Sequence, residues 1–210
     1  MEELQTQGTP KKRITSSLIA KIAILSAVGY ILYLFVKFPL PFFPAFLDMQ
    51  FSDLTGLIGG FMLGPIPGCT IILIKGILKL PFTGTACVGE LADVLIGIAF
   101  VLPASLLYRK RKTLKRALLG LAVGMACSVV MSMLMNWLVL IPFYLQMMFG
   151  GNWEPLLGMC RVLNENISVE NFYEIYIFAG VLPFNLLRCT VTSVLTYLVY
   201  KPLHRLFNRF

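Results

Sequence analysis

The chain has 210 residues, of which 58% are hydrophobic and only 13% are charged. So few charges cannot cover a water-facing surface of ordinary size, which excludes a typical soluble enzyme and makes lipid part of the solvent. The net charge of +8 comes from basic clusters between apolar segments, so nucleic-acid binding is excluded as well. We therefore predict an all-α integral membrane protein, a bundle in which about six helices cross the bilayer.

The amino-terminal part of the chain has a polar tail, residues 1–17, and then a first apolar span, residues 18–35. This span is longer than the apolar core of a signal peptide and lacks a convincing cleavage site, so we keep it as a membrane helix. Residues 38–53 follow. Their three prolines disfavour a regular helix, and their apolar content disfavours a solvated loop. We expect this loop to fold back over another part of the protein.

Two short apolar segments, residues 54–63 and 66–80, are separated by a Gly-Pro turn and predict a helical hairpin. Within this region glycine recurs at every fourth residue, a stripe that lets another helix approach closely. The stripe consists of Gly56, Gly60, Gly64 and Gly68.

Three longer spans make up the second half of the chain, at residues 86–108, 117–144 and 176–200. A polar stretch, residues 150–174, separates the last two. The final span contains Pro183. Together with the earlier segments, these spans give the predicted total of six.

Basic clusters set the predicted orientation of the bundle. Six of the 18 Lys and Arg residues lie within residues 109–116, and others lie within residues 11–13 and 201–209. By the positive-inside rule all three clusters are cytoplasmic, which an even number of crossings satisfies. We therefore predict one membrane domain, residues 18–203, between cytoplasmic tails at residues 1–17 and 204–210.

Amide and ionisable side chains inside membrane spans are costly and mark candidate functional sites. Asn185 and Arg188 stand three residues apart, so they share one helix face and offer an amide and a guanidinium together. Asn136 can both donate and accept, which suits a heterocycle carrying carbonyl and NH groups. A structural interhelical hydrogen bond is the alternative interpretation.

Two acidic residues, Glu90 and Asp93, lie near the start of the fourth span. Pairing with Lys75 or Arg188 is one interpretation, and a proton relay is the other. The single histidine, His204, lies in the carboxyl-terminal tail and the five cysteines form no CxxC pair, so we expect neither a metal site nor His-based catalysis. The sequence contains no GxxxxGK[ST] phosphate loop, so energy from ATP has to come from partners.

Three stretches of sequence, the third in two parts, together resemble the riboflavin-specific substrate-binding subunit (S component) of energy-coupling factor (ECF) vitamin transporters. They are FPLPFFPAFLDMQFSDLTGLIGGFMLGPIPG at residues 38–68, GTACVGELADVLIG at 84–97, and MNWLVLIPFY at 135–144 with LPFNLLR at 182–188. This resemblance implies a six-helix bundle that binds riboflavin near the extracellular side, beneath the first loop.

The resemblance also implies which residues bind the vitamin. Asn136 and Asn185 are expected to hydrogen-bond the flavin ring, and Leu47 to contribute its backbone carbonyl. Arg188 stands where the family usually has lysine, and a guanidinium fork is not interchangeable with a point charge. Asp93 stands where the family often has asparagine, so it is expected either to alter ligand preference or to pair with Arg188. No cofactor is expected, since riboflavin is the transported ligand.

Partners follow from the same resemblance. Ala23 and Ala27 are similar to the alanine motif through which S components dock on a shared transmembrane coupling subunit. Two ATPase subunits complete the transporter. The expected role is therefore capture of riboflavin at the cell membrane for an ATP-driven importer. The alternative is a self-sufficient proton-coupled carrier of a flavin or another vitamin.

Overall fold

The computed structural model describes residues 15–207, with side chains described for residues 15–200, so most of the two predicted tails lies outside the described residues. Over this range the chain is mainly helical. Its helices are α1 Ser16–Phe35, α2 Asp53–Met62, α3 Pro65–Lys79, α4 Val88–Lys110, α5 Leu114–Met135, α6 Ile141–Met147, α7 Glu154–Cys160, α8 Phe172–Ile175 and α9 Leu182–Phe207. A π-helical turn, Asn136–Leu140, joins α5 to α6, and a second, Tyr176–Val181, joins α8 to α9.

Five helical units in the described part of the chain are long and apolar enough to cross a membrane, which makes this a multi-pass membrane protein. Helix α2 has only ten residues and rises about 15 Å, half the hydrocarbon core. The sixth crossing therefore remains a prediction. The five units are Ser16–Phe35, Pro65–Phe82, Val88–Lys110, Leu114–Met147 and Phe172–Tyr200.

The predicted hairpin of two short helices is confirmed as α2 and α3. Gly64 joins them with φ of +114°, a left-handed conformation that L side chains rarely adopt, and Pro65 begins α3. A Cβ on Gly68 would lie 2.7 Å from the Gly60 Cα. The glycine stripe therefore lets the two arms of the hairpin itself contact backbone to backbone.

The proline-rich loop contains a short two-stranded antiparallel sheet, so the prediction of an all-α fold was wrong in this detail. Strand β1, Lys37–Pro39, pairs with β2, Asp48–Gln50. The prolines remove helical hydrogen bonds, and the extended segments on either side satisfy their backbone groups by pairing with each other. The Lys37 ammonium and the Asp48 carboxylate lie 3.1 Å apart across the strands. We call residues 37–50 the β-loop.

Aromatic clusters mark the two ends of the bundle. At one end Tyr108 and Tyr200 hydrogen-bond at 2.7 Å, and the Phe61 ring lies 4.8 Å from that of Tyr108, which joins the ends of α2, α4 and α9. At the other end Phe46 of the β-loop lies 5.9 Å from Tyr176. The β-loop and the basic turn that follows α4 therefore lie at opposite ends of the bundle.

Candidate ligand-binding cavity

A cavity of about 260 Å³ lies beneath the β-loop, between it and the helices at that end of the bundle. Its wall combines aromatic and aliphatic side chains with amide, hydroxyl and charged groups, the mixture found in small-molecule binding sites. Residues from α1, α4, the α5–α6 unit and α9 contribute to it. The polar and aromatic members are Tyr33, Lys37, Phe46, Asp48, Gln50, Lys79, Thr85, Glu90, Asp93, Ser132, Asn136, Tyr144, Phe184, Asn185 and Arg188.

The structure brings together all five residues that the sequence predicts for ligand binding. Leu47, Asp93, Asn136, Asn185 and Arg188 line this one cavity although they are spread over four segments of the chain. The four polar ones are buried, with 3–7% of their surface exposed. Their shared location supports a common role, and binding itself remains a prediction.

The two asparagines are positioned by the π-helical turns. Asn136 donates from Nδ2 to the Ser132 carbonyl at 2.9 Å and accepts at Oδ1 from the Tyr176 hydroxyl at 2.7 Å. The alternative interpretation of Asn136, a structural hydrogen bond between helices, therefore holds for its amide oxygen. Asn185 donates from Nδ2 to the Val181 carbonyl at 2.8 Å, and within the described residues nothing donates to its Oδ1. An amide offers two donors and one acceptor, so both side chains retain capacity for a ligand.

Four buried charges form a network behind the asparagines. The Asp53 carboxylate lies 2.6 Å from both the Lys75 ammonium and the Arg188 guanidinium. Asp93 lies 3.3 Å from Arg188 and 3.6 Å from Lys75. Two cations and two anions sum to zero, which is how charges are accommodated in a dry interior. The predicted pairing of Asp93 with these two cations is thus confirmed.

Glu90 pairs with a different cation from the two that the sequence suggested. Its carboxylate lies 3.5 Å from the Lys79 ammonium and accepts from the Thr83 hydroxyl at 2.7 Å and the Thr85 hydroxyl at 2.9 Å. Glu90 precedes Asp93 by about one helical turn and so lies nearer the start of α4. The expected pairing with Lys75 or Arg188 was therefore wrong for Glu90.

The β-loop is tied directly to the buried charges. Gln50 donates from Nε2 to Asp93 at 2.7 Å and accepts at Oε1 from the Ser52 hydroxyl at 2.7 Å. Lys75 in turn donates to the same Ser52 hydroxyl. The expectation that this loop folds back over another part of the protein is confirmed, since its residues line the cavity and Gln50 is anchored to Asp93 within it.

Tyr33, Gln50 and Lys79 are among the members of the site that sequence reasoning missed. The ammonium groups of Lys75 and Lys79 each lie 5.4 Å from the centroid of the Tyr33 ring. The spacing of four residues between the two lysines was a usable signal, because it places both on one helix face. No comparable local signal marks Gln50, which lies in an irregular segment.

The predicted docking residues lie elsewhere, on the outer surface of the bundle. Ala23 and Ala27 are exposed on α1, one turn apart, on a helix with only four buried residues among its 20. Small side chains at this spacing allow close approach of another helix. Their exposure is compatible with docking, which stays a prediction.

The fold defines a multi-pass membrane protein with a cavity of mixed polar and apolar lining at one end of its helix bundle. A family model described as "ECF transporter, substrate-specific component" matches residues 17–200. The chain belongs to this family. It is therefore a substrate-binding component of a transporter and not an enzyme.

Individual relatives and a solved structure agree with this family assignment. The chain is 30% identical over 188 residues to the riboflavin transporter RibU of Staphylococcus aureus (strain TCH60), covering 90% of each. It is 26% identical over 182 residues to the riboflavin transporter FmnP of Bacillus subtilis (strain 168), covering 85% of this chain and 87% of the relative. A solved structure of the S component of a bacterial ECF transporter superimposes with a TM-score of 0.69 at 28% identity, covering 90% of this chain and 96% of that one.

Proposed function

We propose that this protein is the riboflavin-binding subunit of an ATP-driven ECF importer. The observation that carries the proposal is the single cavity lined by the buried amides of both Asn136 and Asn185, in a chain of this transporter family. The relatives described above, which are named as riboflavin transporters, support the choice of vitamin.

The chemistry of the wall suits a flavin. The ring system is planar and largely apolar, and it carries carbonyl and NH groups along one edge. Asn136 and Asn185 provide matching donors and acceptors, the Arg188 guanidinium adds a cationic donor, and the Leu47 backbone adds an acceptor. Asp93 is held by Arg188 and Gln50, and its Oδ2 atom lies 3.6 Å from the Lys75 ammonium.

The proposed topology has six crossings, with α2 as a short one. Both chain termini and the basic segment, residues 109–116, face the cytoplasm, and the β-loop and cavity face outward. The vitamin is thus captured outside the cell membrane. Tight packing of α2 against its neighbours compensates for its length, since its backbone groups are satisfied within the protein.

Partners supply the energy in this scheme. Ala23 and Ala27 dock on the transmembrane coupling subunit, to which two ATPase subunits bind. A self-sufficient proton-coupled carrier is not favoured by the family. The two carboxylates that such a carrier would use, Glu90 and Asp93, are each paired with a cation, as buried charges of a structural network are.

Flavin absorbance of the purified protein and quenching of riboflavin fluorescence test this proposal. We expect bound flavin in the preparation, or quenching with one site per chain after the flavin has been removed. A colourless protein that leaves added riboflavin fluorescence unchanged contradicts the choice of ligand. Accumulation of riboflavin in proteoliposomes by this chain alone, abolished by an uncoupler, contradicts the dependence on ATPase partners.

A further inference from the structure

Six basic side chains lie close together at the end of the bundle opposite the β-loop, in the basic segment, residues 109–116. Five of them are exposed and the sixth, Arg116, is half-buried. Among the described side chains, residues 15–200, none of these six cations forms an ion pair with a carboxylate. The segment therefore carries a charge of +6 that the described part of the bundle does not neutralise.

The carboxylates of the bundle are too distant to provide this counter-charge. Asp93 is the last acidic residue of α4 and lies sixteen residues before Arg109, about 24 Å along the helix axis. Asp53 contacts the same Arg188 guanidinium as Asp93 and so lies at a similar depth. At physiological salt, charges separated by much more than about 8 Å are largely screened from each other. The neutralising charge therefore has to come from outside the described residues.

A second cavity, of about 180 Å³, lies beside the basic segment, and we call it the basic-end cavity. Lys112 and Thr113 are part of its lining, and Leu114, Ala117 and Leu121 of α5 form an apolar wall. The aromatic cluster at the ends of α2, α4 and α9 forms another wall. An exposed cation thus borders a mainly apolar cavity, which suits a molecule with an anionic head and a hydrocarbon chain.

We propose that the basic segment and the basic-end cavity bind one anionic phospholipid. Its phosphate lies at Lys112 and the neighbouring cations, and part of an acyl chain enters the cavity. Charge complementarity favours this occupant over a lipid without net charge. The two tails of the chain itself are not favoured, because each contains more basic than acidic residues.

The lining of the cavity favours hydrocarbon over a peptide. An acidic segment of another protein would match the charge of the basic segment. On entering the cavity, however, it would bring backbone N–H and C=O groups against apolar side chains, at a cost that an acyl chain does not have. In the proposed topology the bound lipid belongs to the cytoplasmic leaflet. The inference does not depend on which vitamin the cavity beneath the β-loop binds.

Native mass spectrometry of the full chain in detergent, with added phosphatidylglycerol or phosphatidylcholine, tests the inference. The wild type should retain one phosphatidylglycerol per chain and bind it at least about tenfold more tightly than phosphatidylcholine, because several cations act together. Lys112→Gln should weaken phosphatidylglycerol binding by about fivefold, the scale of one cation near an anionic headgroup. Binding of phosphatidylcholine should not change.

Each change has a matched control. Arg161→Gln also removes one positive charge, but outside the basic-end cavity, and should bind phosphatidylglycerol as the wild type does. Ala117→Trp fills the cavity and should abolish retention of the lipid. Leu118→Trp alters the next residue, which is 52% exposed and outside the lining, and should retain it. Should thermal unfolding show that Ala117→Trp does not fold, Lys112→Gln against Arg161→Gln decides the matter.

Four outcomes overturn the inference. Equal binding of the two lipids by the wild type would show that the headgroup charge is not recognised, and the basic segment would then be free for an acidic protein. Equal losses in Lys112→Gln and Arg161→Gln would show an effect of net charge alone. A folded Ala117→Trp that keeps the lipid would show that the cavity is not used. Displacement of the lipid by glycerol 3-phosphate would make a soluble phosphate the ligand. Flavin titration of the same preparations tests the proposed function separately.

Discussion

The Arg188 guanidinium donates to the Asp53 carboxylate at 2.6 Å, joining α9 to α2 across 135 residues of sequence. The other oxygen of the same carboxylate accepts from Lys75 of α3. The ten-residue helix α2 is thus held by ionic hydrogen bonds from two neighbours. Because Arg188 also lines the cavity, the contacts that position α2 also shape the binding site.

Asp53→Asn should destabilise the protein by about 3–5 kcal/mol, because removing one partner leaves buried cations uncompensated. Denaturant or thermal unfolding in detergent measures the change. Glu154→Gln breaks an exposed pair and should cost less than about 1 kcal/mol. Equal stability of the two variants would show that the buried network adds nothing to the fold.

Asn185→Ala should weaken riboflavin binding by about 1–3 kcal/mol, since the ligand loses a hydrogen-bond partner in a poorly hydrated cavity. Isothermal titration or fluorescence quenching gives the dissociation constant. Asn164→Ala, at an exposed loop position, is the control and should bind as the wild type does. Unchanged affinity in Asn185→Ala would make the role of this amide structural.

Ala23→Trp and Ala27→Trp should each abolish assembly with the coupling subunit while sparing flavin binding, because a bulky ring blocks close helix approach on the outer surface of α1. Co-purification of the complex and flavin titration are the two readouts. Val28→Trp is the control, as Val28 is 43% exposed on a different side of α1. If the alanine variants lose flavin binding instead, this strip acts on the cavity and not on a partner.

A thiol-labelling experiment tests the orientation. Cys87 is exposed in the turn before α4, at the cavity end of the bundle, so a membrane-impermeant maleimide should label it from outside intact cells. Cys87→Ser should remove this labelling. Labelling of Cys87 only after the cells are opened would place the cavity on the cytoplasmic side and reverse the proposed topology.

Cys160 provides a pH-dependent reference for that experiment. It is fully buried on α7, and burial raises the pKa of its thiol to about 12. The thiolate is the reactive form, so Cys160 should stay unlabelled at neutral pH, and its reactivity should increase only as the pH approaches 12. Mass spectrometry of the labelled peptides measures this. Rapid labelling at pH 7 would show that α7 opens readily.

Local patterns in the sequence predicted several features correctly. The spacing of apolar runs gave the long membrane helices, and the Gly64–Pro65 turn gave the α2–α3 hairpin. Asn136, Asn185 and Arg188 could be identified because amide and charged groups inside an apolar span are energetically costly and so mark candidate functional sites. The proline-rich segment was expected to fold over the protein, but strand pairing within it was not, since short strands depend on a partner distant in sequence.

The sequence by itself determined that this is a membrane protein and which polar side chains lie within its spans, because hydropathy and residue type are local properties. Only the tertiary structure decided which charges meet. Glu90 pairs with Lys79, while Asp53 is shared by Lys75 and Arg188. Which ion pairs form depends on how the helices pack and on how far along its helix each charged residue lies. A shift of one helical turn would exchange the partners.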